Sequence, residues 1–384
     1  MEINLKIKIL TPLFLGGAFG EPDLRPPSFK GIMRFWFRAV CPDYWKHEQA
    51  NFGSAATNNN ANGQSPFLLR VVNGNIKAVP WKEDSFNRFN EGSGPKTING
   101  IKYLGYPFRM QSPPRKYYPP GVFFHISILI LKRANEENEQ LRRAVTATCW
   151  LMTNIGGMGS RNRRGFGALS LADWQCDKGE DKFPELNQLP ILSKCQSTAQ
   201  WRADLEEALG KFRVWFGSFN GKGNNTTFSH PHFGRSFHYF LSEKGFTSWE
   251  EAMAKMGGYF QKFRKKREPD YTAIKNLLYK NEPLHVAPCK AAFGLPLTFR
   301  FPKKSEVAIM PYNVEKKSFG ERQGSLLFMR PVLIGNRLHP LYIRMDGAVP
   351  GVDSDVAIKS SGRPPARQRE NCLETFMEYI KREG

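Results

Sequence analysis

Features that define several common protein classes are missing from this sequence of 384 residues. No stretch approaches the ~20 consecutive apolar residues that a membrane span requires. The amino terminus alternates polar and apolar residues instead of placing a charged head before an apolar run, which argues against a secretory signal. These absences predict a cytoplasmic protein with no membrane among its partners.

Cysteine is scarce as well, and its spacing excludes the usual cysteine sites. The six cysteines form no CxxC pair, so the sequence supports neither a zinc ribbon nor a disulfide framework, and we expect reduced thiols. His230 and His232 resemble half of a metal site, but no cysteine or carboxylate pair nearby completes it. We therefore expect no metal and no other cofactor.

Acidic residues are few relative to basic ones. The chain has 35 Asp and Glu against 56 Lys and Arg, a formal net charge of +21. Hydrophobic residues make up 40% and aromatic residues 13%, which is typical of a globular protein rather than a disordered one. Because charge repulsion on this scale opposes folding, a polyanionic partner such as nucleic acid is favoured. The length predicts two domains.

The first 175 residues contain a regular succession of predicted elements. Polar and apolar residues alternate over 2–10, which indicates a half-buried strand. A helix is predicted for 29–40, with Ser28 as its N-cap and with Trp36 and Phe37 in the core. The elements that follow are strands 67–72 and 122–131, helix 137–155 and strand 166–172. This order is that of a ferredoxin-like, RRM-like α+β unit, with both helices on one face of a four-stranded antiparallel sheet.

Other regions are less regular. Residues 74–120 look inserted, and they interleave cations with aromatic residues. Beyond residue 175 the patterns predict helices 200–216, 248–267 and 372–382 and strands 290–301, 325–334 and 338–345. The basic run at 262–267 fits either a solvated helix end that complements the helix dipole or an RNA contact, and the sequence leaves both open.

The most informative segment is a glycine-rich loop between the second helix and the last strand of the first unit. Four glycines and three arginines define it: Gly157, Gly159, Gly165, Gly167, Arg161, Arg163 and Arg164. Such a loop can present amide N–H groups and guanidiniums to phosphates, so we expect it to be exposed. A P-loop or dinucleotide motif would follow a strand and open a helix, so both are disfavoured here. The alternative is a structural helix-to-strand turn with incidental charge.

A second motif is the basic face of the first helix. Lys30, Arg34 and Arg38 stand four residues apart and form one basic stripe. The alternative interpretation is an ordinary solvated helix face. The helix start near Ser28 can bind an anion through unpaired N–H groups. We expect Arg25 and Lys30 to join the loop arginines in one positive groove, with Arg34 and Arg38 trailing away from it.

With these motifs in place, the residues resemble a known family. Two stretches carry the resemblance together with the glycine-rich loop: TPLFLGG at 11–17 and LRPPSFKG at 24–31. They are similar to the RAMP superfamily of CRISPR proteins, and within it to the first RAMP subunits of type III-B Cmr effector complexes. Residues 291–296 and 339–343 fit the second half of that family more loosely.

The resemblance implies two ferredoxin-like domains, 1–175 with the glycine-rich loop and 176–384 with helical insertions. It also implies a place in the Cmr ribonucleoprotein beside other RAMP subunits, holding the 3′ part of the guide RNA close to target RNA. Either RNA could be the main ligand. Target cleavage belongs to a different subunit, so no enzymatic activity is expected. On this basis RNA binding is predicted for Arg25, Lys30, Arg34, Arg38, Gly157, Gly159, Arg161, Arg163, Arg164, Gly165 and Gly167.

Two other functions stay open. Some RAMP relatives are metal-independent ribonucleases that mature guide RNA with a general-base histidine. His47, shortly after the basic helix, is the candidate for that role here. The third function is that of a purely structural capping subunit that contacts only protein.

Overall fold

A computed structural model describes residues 1–17, 21–54, 63–72, 74–94, 97–110, 112–131, 135–177, 182–219, 230–265, 268–301, 304–359 and 363–384. The first half contains β1 (Glu2–Ile9), α1 (Pro26–Val40), α2 (Tyr44–Phe52), β2 (Phe67–Val72), β3 (Val79–Pro80), α3 (Gly100–Leu104), β4 (Lys116–Tyr117), β5 (Phe123–Ile130), α4 (Asn135–Asn154) and β6 (Leu169–Cys176).

The four long strands of the first half form one antiparallel sheet in the order β2-β5-β1-β6. Alternate residues of β1 and β5 are buried, and they share an apolar core with the inner faces of α1 and α4. Trp36 and Phe37 of α1 are each 1% exposed, as predicted for core residues. The predicted order of strands and helices in this half is confirmed.

The start of α1 differs from the prediction. The helix begins at Pro26, and Arg25 occupies the cap position without a side-chain hydrogen bond. Proline has φ fixed near the helical value and no N–H to satisfy, so it is favoured in a first turn. Ser28 therefore lies inside the helix, where its N–H donates to the carbonyl of Arg25 at 3.0 Å.

The second half contains two further antiparallel sheets. Its elements are α5 (Thr198–Phe216), β7 (His238–Leu241), α6 (Trp249–Lys265), α7 (Asp270–Lys280), β8 (Leu297–Phe301), β9 (Lys304–Asn313), β10 (Ser318–Phe319), β11 (Leu327–Ile334), β12 (Arg337–Arg344), β13 (Val356–Ile358) and α8 (Cys372–Glu383). One sheet has the order β11-β12-β7. The other consists of β8, β9, β10 and β13, and it shares a separate apolar core with α7.

The predictions for the second half are partly confirmed. The three helices and two of the three strands lie within two residues of their predicted bounds, whereas β8 begins only at Leu297 because 289–293 form a 3-10 turn. The elements α7, β7 and β9 were not predicted. In the second half, β7, α6, β11, β12 and α8 follow the same order of strands and helices as the first half. Within the described residues, the strand that completes this order in the first half has no counterpart in the second. The chain as a whole is a mixed α/β fold with antiparallel sheets.

The segment 74–120 is an excursion between β2 and β5 that packs against α6 of the second half. A Cβ atom placed on Gly257 of α6 would lie 2.4 Å from the carbonyl oxygen of Gly100 in α3, so the two helices touch through their backbones. The N–H of Asn99 donates to the side chain of Gln261 at 2.9 Å. The insertion therefore ties the two halves together.

The two halves also share one continuous apolar core, from Ile3 in β1 to Ile380 in α8. The division near residue 175, close to the end of β6, stays a prediction. Among the helices described, none is long and apolar enough to cross a bilayer.

One cysteine pair lies within disulfide range. Cys289 and Cys372, 83 residues apart in sequence, have Cα atoms 5.7 Å apart because the fold sets the 3-10 turn before β8 against the start of α8. Sequence spacing could not reveal this proximity. Burial raises the pKa of Cys41 to about 11 and the pKa of Cys149 to about 12, so both thiols are protonated at neutral pH.

Candidate nucleic-acid interface

The glycine-rich loop joins α4 to β6 and closes on the segment that follows β1. The N–H of Gly167 donates to the carbonyl of Pro12 at 2.9 Å, and the N–H of Ser160 donates to the carbonyl of Phe14 at 2.8 Å. Gly167 has a φ of 65°, and a Cβ atom there would lie 1.9 Å from the carbonyl oxygen of Met158. Glycine is required at position 167 because φ is positive and the backbone of the loop lies too close to leave room for a side chain.

The loop arginines point into the protein rather than into solvent. Arg164 is 8% exposed and donates to the carbonyls of Phe293 at 2.7 Å and Leu327 at 3.2 Å. Arg163 is half-buried and donates to the carbonyl of Ser325 at 2.7 Å. The expectation of an exposed loop is wrong, because its guanidiniums hydrogen-bond the backbone of the second half.

The same cluster holds positive charge without a carboxylate. Arg161 donates to the carbonyl of Leu104 at 2.9 Å. Burial lowers the pKa of Arg163 to about 10, and burial together with the nearby charge of Arg264 lowers the pKa of Arg161 to about 10. Both guanidiniums therefore stay charged at neutral pH. No carboxylate lies within ion-pair distance of Arg161, Arg163 or Arg164 in the part of the chain that the structure describes. Arg264 lies near the carboxylate of Asp270, and its charge opposes the rise in the pKa of Asp270 that burial causes.

Arg330 of β11 makes the reverse connection, from the second half into the first. Its fully buried guanidinium donates to the carbonyls of Gly156 at 2.6 Å and Thr153 at 3.3 Å, and also to the carbonyl of Leu169. Burial lowers the pKa of Arg330 to about 9. The carbonyls at the end of α4 carry partial negative charge, which favours a cation there. Arg330 stands in an apolar stretch, and no spacing pattern marks it in the sequence.

Lys30, Arg34 and Arg38 share one helix face, as predicted, but that face is covered in part by other elements. Arg38 makes two hydrogen bonds of 2.6 Å with the carboxylate of Glu48 in α2, and Arg34 donates to the same carboxylate at 3.3 Å. The Lys30 ammonium lies 3.3 Å from the carbonyl oxygen of Phe67 in β2. The hydrogen bond to Glu48 raises the pKa of Arg38.

Lys30 of the basic stripe and the glycine-rich loop contact different elements. Helix α1 approaches the loop through aromatic residues, since the Arg163 guanidinium lies 5.1 Å from the ring centroid of Phe35. Lys30 instead contacts β2, which lies at the opposite edge of the sheet from β6. Three strand spacings separate these edges, about 14 Å. This is within the two Debye lengths, about 16 Å, over which the charges could still act together, so the union of Lys30 with the loop arginines stays a prediction.

Arg25 is exposed, unlike the other predicted cations. Its guanidinium donates to the carbonyl of Gly16 at 2.8 Å and lies 3.9 Å from the carboxylate of Asp23. The predicted anion site at the start of α1 is weakened, because Pro26 and Pro27 have no N–H groups.

The basic run at 262–267 contacts the insertion where it is described. Lys262 pairs with Glu91, and Arg264 donates to the hydroxyl of Tyr103 at 2.9 Å. Residues 266 and 267 lie outside the described residues. The described part of the run therefore holds the insertion against α6.

The candidate histidines have different surroundings. His47 lines a cavity of about 160 Å³ together with Asp43, Asn51 and Arg143. His230 has a ring nitrogen 2.8 Å from the carbonyl oxygen of Phe35, and burial lowers its pKa to about 4. Across the described ranges, no three His, Cys, Asp or Glu side chains converge in a way that could hold a metal ion.

Sequence reasoning missed a surface of the sheet itself. We call the side of the β2-β5-β1-β6 sheet that faces away from its buried core the outer sheet face. It carries Lys6, Lys8, Arg70, Phe123, His125 and Leu129. Phe123 is 40% exposed and Leu129 is 38% exposed. The alternation in β1 had already placed Lys6 and Lys8 on one side, but only the strand pairing shows which residues lie beside them.

Three comparisons relate the chain to known proteins. Residues 6–170 match the RAMP superfamily. The CRISPR system Cmr subunit Cmr1-2 of Pyrococcus furiosus is 27% identical over 193 residues, which cover 44% of this chain and 95% of that protein. Subunit Cmr1-1 of the same organism is 23% identical over 215 residues, which cover 53% of this chain and 55% of that protein.

Solved structures share the fold over nearly the whole chain. The crystal structure of apo Cmr1 from P. furiosus has a TM-score of 0.59 at 15% identity, covering 100% of this chain and 97% of that one. A chain of the type III-B Cmr-beta complex bound to cognate target RNA has a TM-score of 0.53 at 14% identity, covering 99% of both chains. The matches in sequence and fold agree: residues 6–170 are similar to the RAMP superfamily, and the fold is similar to that of Cmr1 over nearly the whole chain.

Proposed function

We propose that the chain is a non-catalytic, RNA-binding subunit of a CRISPR type III-B Cmr effector complex that acts in antiviral defence in the cytoplasm. The observation that carries this proposal is the similarity to Cmr1-2, which extends over 95% of that relative. The net charge of +21 supports a polyanionic ligand.

The ligands in this proposal are guide RNA, held near its 3′ part, and target RNA, with other Cmr RAMP subunits as neighbours. The two halves would be ferredoxin-like domains. Arg25 is placed to contact RNA directly because it is exposed. The buried contacts of Arg163 and Arg164 favour a different role, in which the glycine-rich loop joins the two halves and fixes the shape of the surface that RNA meets.

The proposal is tested with purified full-length chain and a labelled single-stranded RNA that contains a CRISPR repeat, in buffer without metal. The RNA should be bound and should stay intact. Cleavage that disappears in a His47→Ala variant would replace this proposal with the guide-processing ribonuclease. If the chain does not retain RNA but joins other Cmr subunits, it is a structural cap.

A further inference from the structure

We infer that the outer sheet face is a stacking platform for two successive bases of single-stranded RNA, with Phe123 and His125 as the two rings. Lys6 and Lys8 would hold the phosphates on either side. This inference rests on the proposed RNA-binding function and assigns a surface to it that is separate from the glycine-rich loop.

The two rings and the two lysines form a compact block on the central strands of the sheet. Phe123 and His125 are alternate residues of β5, so their side chains leave the same face about 6.6 Å apart. In the antiparallel register Lys8 stands opposite Phe123, and Lys6 stands opposite His125. One lysine therefore stands opposite each ring residue, and both ammonium groups lie over the Phe123 ring.

The Phe123 ring is available to a base even though the lysines lie over it. The ammonium groups of Lys6 and Lys8 are 4.9 and 5.7 Å from its centroid. An exposed cation–π contact contributes less to stability than a base stacked on an aromatic side chain does. A base can thus displace the ammonium groups, which then reach the phosphates on either side of it.

The charge on this face complements an anion. Lys6, Lys8 and Arg70 form no ion pair in the part of the chain that the structure describes, and Arg70 is exposed two strands away from Lys6. The carboxylate of Asp173, on β6, lies 3.5 Å from Lys194. Glu2 accepts a hydrogen bond from the hydroxyl of Ser127. Both carboxylates therefore have other partners, Asp173 although it stands opposite Lys6 in the register of β1 and β6, and no carboxylate lies within ion-pair distance of the three cations in the described residues.

The residue types on the outer sheet face favour single-stranded RNA as the ligand, rather than a protein or a duplex. The cores of protein–protein interfaces are depleted of lysine, but two lysines occupy the centre of this face. Stacking on flat rings requires bases that are not already paired, and an exposed four-stranded sheet with ring side chains on its central strands suits splayed single-stranded bases. The exposed Leu129 extends the apolar surface along β5.

The test measures the affinity of the full chain for a fluorescein-labelled 12-nucleotide uridine RNA at pH 8 over a series of salt concentrations. A Phe123→Leu/His125→Gln variant removes both rings and keeps both lysines. It should bind at least about tenfold more weakly, with an unchanged salt slope. A Lys6→Gln/Lys8→Gln variant should make the log–log slope of affinity against salt concentration less steep by about 1.4, the value for two phosphates of a single strand. Tyr271→Leu removes an exposed ring from α7 and is the matched control.

The outcomes separate this inference from the proposed function. If the wild-type chain binds the RNA and the ring variant binds it as tightly, the platform is wrong and the RNA-binding function stands. If the ring variant keeps its RNA affinity but no longer assembles with other Cmr subunits, the face docks a protein and the inference is overturned. If wild-type chain binds no RNA, both fail. Should the double variant not fold, His125→Gln alone carries the test, since His125 is exposed.

Discussion

At the scale of single residues, the connection between the two halves depends on Arg164. Its guanidinium satisfies the carbonyls of Phe293 and Leu327, and it lies 4.9 Å from the ring centroid of Phe260. Each carbonyl left buried without a partner costs about 1–3 kcal/mol. We expect Arg164→Ala to lower the free energy of unfolding by roughly 2–5 kcal/mol, measured by urea denaturation.

The matched control is Arg235→Ala, because Arg235 is exposed. That variant should unfold within about 0.5 kcal/mol of the wild-type chain. Equal denaturation midpoints for the Arg164 variant and the control would mean that the buried guanidinium contributes nothing to the joint between the halves.

A second residue predicts how stability depends on pH. Burial lowers the pKa of His230 from 6.5 to about 4, so the folded state resists protonation more than the unfolded state does. Its contribution is fully present above pH 6.5 and is lost as the pH falls toward 4. Between pH 7 and pH 5 the wild-type chain should lose about 1 kcal/mol more than His230→Gln, allowing for the partial exposure of the ring. Urea denaturation at pH 7 and pH 5 measures both losses. If the wild-type chain and His230→Gln lose the same free energy of unfolding between these pH values, His230 does not contribute to the pH dependence.

At the scale of elements, the glycine-rich loop is a tight joint whose backbone leaves no room for a side chain. Gly167→Ala would bring Cβ against the carbonyl of Met158 at a positive φ, and we expect a loss of roughly 2–4 kcal/mol of stability. Gly31→Ala is the control, because nothing lies within 4 Å of a Cβ there and the residue is inside α1. The control should gain about 0.5–1 kcal/mol. Similar melting temperatures for the two variants would show that the loop can relax.

Elements with a strong local pattern could be predicted from the sequence. The alternation in β1 and β5 and the apolar arcs of α1 and α4 reflect burial on one face, which any sheet or helix on a core must show. Short strands such as β7, and β9 with its own small core, carry no such pattern because their burial depends on distant partners.

The candidate site was harder to predict, because sequence shows which residues are charged but not where their charges point. Arg163 and Arg164 were expected in solvent and instead bind carbonyls more than 120 residues away. Arg34 and Arg38 converge on Glu48, a residue of a helix that was not predicted. The exposed block around Phe123 became visible only through the pairing of β1 with β5.

At the scale of the whole molecule, a net charge of +21 is distributed in two ways. Some cations, among them Arg164 and Arg330, are buried and hold the two halves together. Others, such as Arg25 and Lys6, are exposed and are free to meet a ligand. We propose that this exposed charge binds the RNA of a Cmr complex.

The most direct test of this claim is the affinity of the full chain for single-stranded RNA as a function of salt concentration. Neutralising about four to six phosphates predicts a log–log slope of roughly −3 to −4. A slope in that range, with little dependence on base sequence, is the expected result. Binding with a slope near zero, or no binding at all, would contradict the account.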